Sequence, residues 1–309
     1  MDIKQISSFL LEFFYVLSGI IMLFAAFYTL KDSTHTAKVG TSLFWCILAV
    51  IFIFGKVMPP ALVGSLLLVM GGLTVTKQVK VGSIDNPSDE FREKQFKKIG
   101  SKIFLPSILL AVSAFTIAQW TKLGGQVAIG LSALIGLIAA LWITKSPVKN
   151  IALDGDRMLK QVGPASILPQ LLAALGALFT AAGVGEVISS GISSIIPKGN
   201  ILAGVIAYCI GMALFTMIMG NGFAAFAVIT AGIGVPFVFA QGANPAIAAS
   251  LALTAGFCGT LMTPMAANFN VVPAALLEMK NKNKVITAQV PVAFSLLIVH
   301  IILMYYWAF

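Results

Sequence analysis

Between Lys198 and Glu278 the sequence contains no Asp, Glu, Lys, Arg or His. Such an interval offers no carboxylate or imidazole for acid–base work, so it excludes a hydrolytic centre there. Across the whole chain no HExxH, GxSxG or GxxxxGK[ST] pattern occurs. That leaves no signature of a zinc protease, a serine hydrolase or a pump that hydrolyses ATP itself, and the chain reads as a non-enzyme. Cysteine is scarce as well. Cys46, Cys209 and Cys258 all lie in apolar runs without CxxC spacing, so each reads as a small buried hydrophobe and no disulfide, metal or other cofactor framework is implied.

What is abundant is apolar surface. With 59% hydrophobic and only 10% charged residues in 309, and a mean hydropathy of +0.98, the composition excludes a soluble globular domain. Apolar runs fall at 8–30, 41–55, 58–76, 103–120, 125–144, 165–183, 201–277 and 286–308, several of them long enough to cross roughly 30 Å of hydrocarbon as helix. The first run follows Met1-Asp2-Ile3-Lys4-Gln5 without a small-residue cleavage site, and is expected to be a membrane helix and not a removable signal peptide.

The net charge of +9 invites a nucleic-acid reading, but its placement argues against one. Loops 31–40, 77–102, 145–164 and 278–285 hold 16 of the 20 basic residues, leaving Lys4, Lys56, Lys122 and Lys198 for the other side. Positive residues are retained in the cytoplasm, so the rich side is expected to be cytoplasmic and both termini outside. The stretch Asp89-Glu90-Phe91-Arg92-Glu93-Lys94 is expected to form a short solvated surface helix. Asp154-Gly155-Asp156 has the spacing that opens a calcium loop but lacks the downstream glutamate, so calcium is rejected. No internal repeat is visible. The expected fold is an all-α polytopic membrane protein of about eight transmembrane helices, plus one re-entrant hairpin and a discontinuous helix. Within one membrane domain, residues 1–145 form a five-helix scaffold-like part and 146–309 the part carrying the chemistry.

Two clusters of helix breakers interrupt the uncharged interval. The first, Met219-Gly220-Asn221-Gly222-Phe223, suits a tight buried turn between two limbs at about 201–219 and 223–239. Asn221 offers both an oxygen and an amide donor there, and the limb that follows would turn its free N–H groups toward an anion. Asn244-Pro245 then starts a further helix, which meets Gly256, Gly259 and the break Cys258–Asn270 around Pro264. Proline removes a backbone hydrogen bond and pushes the preceding residue out of helical geometry. Broken backbone at membrane depth survives only where protein covers it or it lines a cavity. The expected substrate contacts are Gly220, Asn221, Gly222, Thr260, Thr263, Asn268 and Asn270; with no carboxylate present, a sodium site there needs carbonyl, hydroxyl and amide oxygens. The competing readings are an ordinary loop between two spans and a simple kinked helix.

The asparagine-bearing tip and Thr263-Pro264-Met265-Ala266-Ala267-Asn268 are similar to the second half of ion-transporter superfamily carriers: divalent anion–sodium symporters, gluconate permeases and TRAP large subunits. By position Asn221 matches the tip asparagine, with Gly220 and Gly222 in place of its Ser and Thr neighbours. Thr263, Pro264 and Asn268 match the break, with two extra residues between proline and asparagine. The resemblance makes Asn221, Thr263 and Asn268 candidate cation ligands, with Na⁺ or H⁺ as coupling ion.

Through the segments MGNGFAAFAVITAGIGVPF and GFCGTLMTPMAANFNVVPAAL, the whole chain resembles a membrane family first described as a domain of unknown function and since named an oxoproline transporter subunit. That resemblance implies pyroglutamate (oxoproline) as substrate, a bacterial cytoplasmic (inner) membrane location, and a second, smaller membrane subunit carrying the complementary hairpin half. A self-sufficient homo-oligomeric carrier and a non-transporting membrane scaffold are the alternatives.

Other polar residues at membrane depth have plainer readings. Glu12 and Glu186 are the nearest acids, with Glu186 expected at an interface and secondarily as a proton carrier. His300 is expected as a hydrogen-bonded packing residue. Trp45, Trp120, Trp142 and Trp307 fall near the expected helix ends and fit interfacial anchoring. Met212, Met217, Met219, Met262 and Met265 read as packing filler. Gln170 faces either the site or another helix.

Overall fold

A computed structural model describes residues 2–82, 88–147, 149–194, 199–277 and 279–309; helices joined by turns and loops make up these residues, with no strand among them. They form two compact units, Met1–Gly163 and Pro164–Phe309. The first comprises α1 (Ile3–Lys31), α2 (Lys38–Phe54), α3 (Pro60–Val75), α4 (Asp89–Ile99), α5 (Leu105–Trp120), α6 (Gly125–Thr144) and α7 (Lys149–Val162). The second comprises α8 (Leu168–Ala181), α9 (Val184–Ser193), α10 (Ile201–Met219), α11 (Gly222–Ile229), α12 (Val235–Phe237), α13 (Pro245–Leu261), α14 (Val272–Leu276) and α15 (Lys284–Trp307). Two π-helical segments, Thr230–Gly234 and Ala267–Val271, interrupt this second set.

The protein is an all-α polytopic membrane protein. Among the described residues six helical runs are long and apolar enough to span, and a seventh if the pair Gln170–Ala181 and Val184–Ser193, bent by 64°, makes one crossing. Three runs expected as spans form shorter helices: α2 and α13 have 17 residues and α3 has 16. Both limbs of the expected hairpin have full spanning length, 19 residues for Ile201–Met219 and 20 for Gly222–Gln241. The apolar run at 165–183 ends where expected: Gly183, at φ +70°, takes the left-handed conformation that turns the chain from α8 into α9. The surface helix expected near 89–94 is α4, whose first turn is capped by Ser88 Oγ accepting from Phe91 N–H.

In the first unit α1 and α2 pack along their length. Gly19 permits this: a Cβ there would lie 2.5 Å from Ile53 Cγ1 and 3.0 Å from the Ala49 carbonyl. Ser42 donates across the pair to the Ala26 carbonyl at 2.8 Å. The turn beyond α1 is tied down by His35, whose Nδ1 accepts from Ala37 N–H at 3.0 Å while Nε2 meets the Lys80 carbonyl at 3.1 Å. The compact unit runs past residue 145 because α7 packs on α1. On α7 Lys160 is buried and its ammonium sits 2.8 Å from Asp156. Burial pushes the Asp156 carboxyl up from the usual range, and the lysine opposes that rise. Trp120, Trp142 and Trp307 are exposed at helix ends as interfacial anchors require, but Trp45 is not an anchor. It lies inside α2, 1% exposed, with its ring edge-on to Phe44 at 5.3 Å.

In the second unit α10 runs through the core, with α11, α13 and α15 packed on it. Tyr208, Cys209, Met212 and Met219 are fully enclosed, and Cys258 of α13 is buried with them. Asn244 caps α13 through Oδ1, and its own N–H donates to the Ala308 carbonyl at 2.7 Å, tying the start of α13 to the end of α15. Close approach of α10 and α13 requires glycine at 259, where any Cβ would meet the Ala213 carbonyl. Gly259→Ala is therefore expected to destabilise by about 1–3 kcal/mol, and to lower the thermal midpoint of the detergent-solubilised chain. Gly64→Ala, where a Cβ meets nothing within 4 Å, serves as control. Equal midpoints for the two variants would show that the helices tolerate a wider separation.

Candidate functional site

The two clusters of helix breakers meet in the second unit. α10 ends where Gly220, at φ +65°, adopts the left-handed conformation and donates its N–H to the Thr216 carbonyl. Glycine is needed twice over at this position, because a Cβ would also run into the Met265 carbonyl. Asn221 then caps α11, its Oδ1 accepting from Phe223 N–H at 2.9 Å and Ala224 N–H at 3.4 Å. Two of the N–H groups expected to be open are thus already occupied. Among the described residues the Nδ2 group of Asn221 has no hydrogen-bond partner, so the carboxamide keeps its donor end available.

The facing element is the gap between α13 and the second π-helical segment, from Met262 to Ala266. Pro264 has no N–H to continue α13, and the chain leaves helical geometry before it. Asn270 closes the gap from behind. Its Nδ2 donates to the Thr260 carbonyl at 2.8 Å and the Thr263 carbonyl at 2.6 Å, satisfying acceptors that the end of α13 leaves free. Thr263 joins the gap to the turn: its hydroxyl donates to the Met217 carbonyl at 2.9 Å and accepts from Met265 N–H. The Thr260 hydroxyl donates to Phe257 one turn back.

Between turn and gap lies a cavity of about 120 Å³, room for several waters or a small organic ion. Of the seven sequence-predicted residues, Gly220, Asn221, Gly222, Thr260 and Asn268 line it. Thr263 and Asn270 do not; both are buried and spend their hydrogen bonds on the break itself. The rest of the wall is Leu172, Phe223, Phe257, Met265, Ala267 and Phe269, none with an ionisable group. Phe223 and Phe257 meet edge-to-face at 6.2 Å, and Phe257 and Phe269 lie 6.2 Å apart at a tilt. Sequence reasoning missed these rings because their membership depends on contacts between α11, α13 and the π segment, which no local spacing encodes. Leu172 arrives from α8, which packs on α11 so tightly that a Cβ on Gly176 would lie 2.6 Å from that of Ala224.

The described buried side-chain atoms without a hydrogen-bond partner include Asn270 Oδ1 and Thr216 Oγ1. Thr216 sits beside Gly256, its hydroxyl 3.1 Å from where a Cβ would stand. Glu186 lies in the first turn of α9, where a carboxylate complements the helix dipole, and is not on the cavity. His300 contacts the Leu296 carbonyl of its own helix through Nδ1 at 2.7 Å.

Asn270→Ala leaves two carbonyls without their donor and is expected to cost roughly 2–4 kcal/mol. The measurement is the midpoint of thermal unfolding, compared with Thr254→Ala, whose hydroxyl bonds only within α13. An Asn270→Ala midpoint no lower than that of Thr254→Ala would mean that the break is held by other contacts.

No curated protein matches the sequence. Among solved structures, the Alcanivorax borkumensis YdaH transporter is similar at 14% identity, over 99% of this chain and 82% of that one, with a TM-score of 0.31. A superposition that loose assigns neither fold nor function. The sequence profile of the family described as "Protein of unknown function (DUF979)" matches residues 12–309. Since that span covers nearly the whole chain, the protein belongs to the DUF979 family.

Proposed function

We propose that this chain is a subunit of a secondary transporter for a small carboxylate, with pyroglutamate the substrate implied by the family resemblance. The observation that carries the reading is the uncharged cavity where the Gly220–Gly222 turn meets the interrupted helix. A fixed lysine or arginine would hold a carboxylate tightly, whereas a carrier must also release it. Neutral carboxamides and the positive end of α11 bind an anion more weakly. Asn221 from the turn and Asn268 from the π segment both line the cavity, each with a carboxamide able to donate, on two elements that change separation if either moves. π-helical segments are frequent at functional sites, and this unit has two of them.

In this reading transport proceeds by alternating access, driven by Na⁺ or H⁺ in the bacterial cytoplasmic membrane, with both termini outside and the basic loops in the cytoplasm. Of the candidate cation ligands, Thr263 stands off the cavity and the Asn221 oxygen is taken by the α11 cap, so Asn268 is the side chain this reading keeps for the ion. A second, smaller membrane subunit is expected to supply the complementary half-site, since inverted-repeat carriers build their sites between two halves.

The test is uptake of labelled pyroglutamate in cells lacking their own activity, with and without the neighbouring membrane subunit, in Na⁺ and Na⁺-free buffer. Asn221→Ser keeps a side-chain cap on α11 but loses the amide donor; Asn268→Ala loses the other donor. A charge-assisted hydrogen bond is worth about 1.5–3 kcal/mol, so each variant should weaken apparent affinity roughly 10- to 100-fold while remaining in the membrane. Wild-type uptake by both variants would remove the cavity from the mechanism. If no combination of subunits and ions transports pyroglutamate, the substrate assignment fails.

A further inference from the structure

The first unit holds a second cavity, of about 420 Å³, lined by Glu12 and Tyr15 of α1 and by Ile51, Phe52, Gly55 and Lys56 at the end of α2. Its composition differs from that of the cavity in the second unit. One carboxylate and one ammonium meet at 3.2 Å at the rim, and both remain open, with side chains 33% and 60% exposed. Below them Tyr15 and Phe52 pack edge-to-face at 5.9 Å, and Ile51 completes an apolar floor. The surroundings are apolar and uncovered: Phe9 is 65% exposed, Phe54 52% and Val57 79%.

Helix rise places this rim at a particular depth. Lys31 closes one end of α1, and Lys38 opens α2 on the same side. From Lys31 back to Glu12, and from Lys38 on to Lys56, the chain rises roughly 27–29 Å at 1.5 Å per residue. Hydrocarbon is roughly 30 Å thick. With the two lysines at one interface, Glu12 and Lys56 therefore stand at the opposite one, where phospholipid headgroups lie and an apolar floor faces acyl chains.

We propose that this cavity is a binding site for a phospholipid whose headgroup carries a phosphate and a primary ammonium, the ethanolamine type. Lys56 donates to the phosphate, and Glu12 accepts from the ammonium. The first carbons of an acyl chain lie over Ile51 and Phe52. Charge complementarity selects this class. An anionic lipid with no ammonium brings a second negative charge beside Glu12 and leaves the carboxylate without a donor. A choline headgroup has a cation but no N–H to give. A headgroup with both ends matches an acid and a base fixed side by side, and it inserts by exchanging one ion pair for two.

The experiment uses the full chain purified in detergent and titrated with phosphatidylethanolamine, phosphatidylcholine or phosphatidylglycerol of identical acyl chains. Retained lipid is counted by native mass spectrometry, and the thermal midpoint is followed in parallel. The ethanolamine lipid is expected to be retained at least about tenfold better than either other lipid and to raise the midpoint most. Glu12→Gln and Lys56→Gln should each abolish that preference. A merely structural ion pair predicts a different result: both variants lower the lipid-free midpoint, and all three lipids act equally on the wild-type chain. That outcome overturns the proposal, as does an ethanolamine preference unchanged in both variants.

Discussion

The candidate site depends on one side chain giving both amide protons to a broken helix. Asn270, 1% exposed, donates to the carbonyls of Thr260 and Thr263. Without it, the end of α13 and the gap after it would leave two acceptors bare in a medium that cannot solvate them. With it, Met262 to Ala266 can depart from helical geometry and still be satisfied. The Thr263 hydroxyl then fixes this gap to the Met217 carbonyl of α10, and the cavity follows from that juxtaposition.

Small residues provide the second constraint. Gly220 accepts a left-handed conformation against the Met265 carbonyl, Gly259 lets α13 lie on the backbone of α10, and Gly176 lets α8 reach α11. Each removes a side chain at a place where backbone or Cβ would otherwise collide. Helix association in a membrane gains little from the hydrophobic effect, so close packing through small residues takes its place. The same economy applies in the first unit, where Gly19 and the Ser42 hydroxyl bring α1 and α2 together. There the paired helices set Glu12 beside Lys56.

Much of this was legible residue by residue. Pro264 after Thr263 marked the break, Gly220-Asn221-Gly222 marked the turn, and Asn244-Pro245 marked the start of α13, because each acts through local backbone geometry. The distinction between Asn268 and Asn270 was not legible. Two residues apart in a polar cluster, they look equivalent, yet Asn268 lines the cavity and Asn270 turns inward to brace it. Residues two apart lie on opposite faces of a helical turn, but which of the two meets the cavity is set by how Ala267–Val271 packs against the rest of the unit. Trp45 misled for a related reason: its position near the edge of an apolar run resembled an anchor, while packing against Phe44 buried it.

The sequence alone determined that this is a helical membrane protein with a charge-free interval broken twice, because hydropathy and proline or glycine chemistry operate within a few residues. Tertiary structure decided that the two breaks face each other, that three phenylalanines from separate elements wall the cavity, and that one asparagine holds the backbone while its neighbour is left open. Those outcomes are sums of contacts between residues far apart in the chain. Their energies depend on distance in space, for which position along the sequence is no substitute.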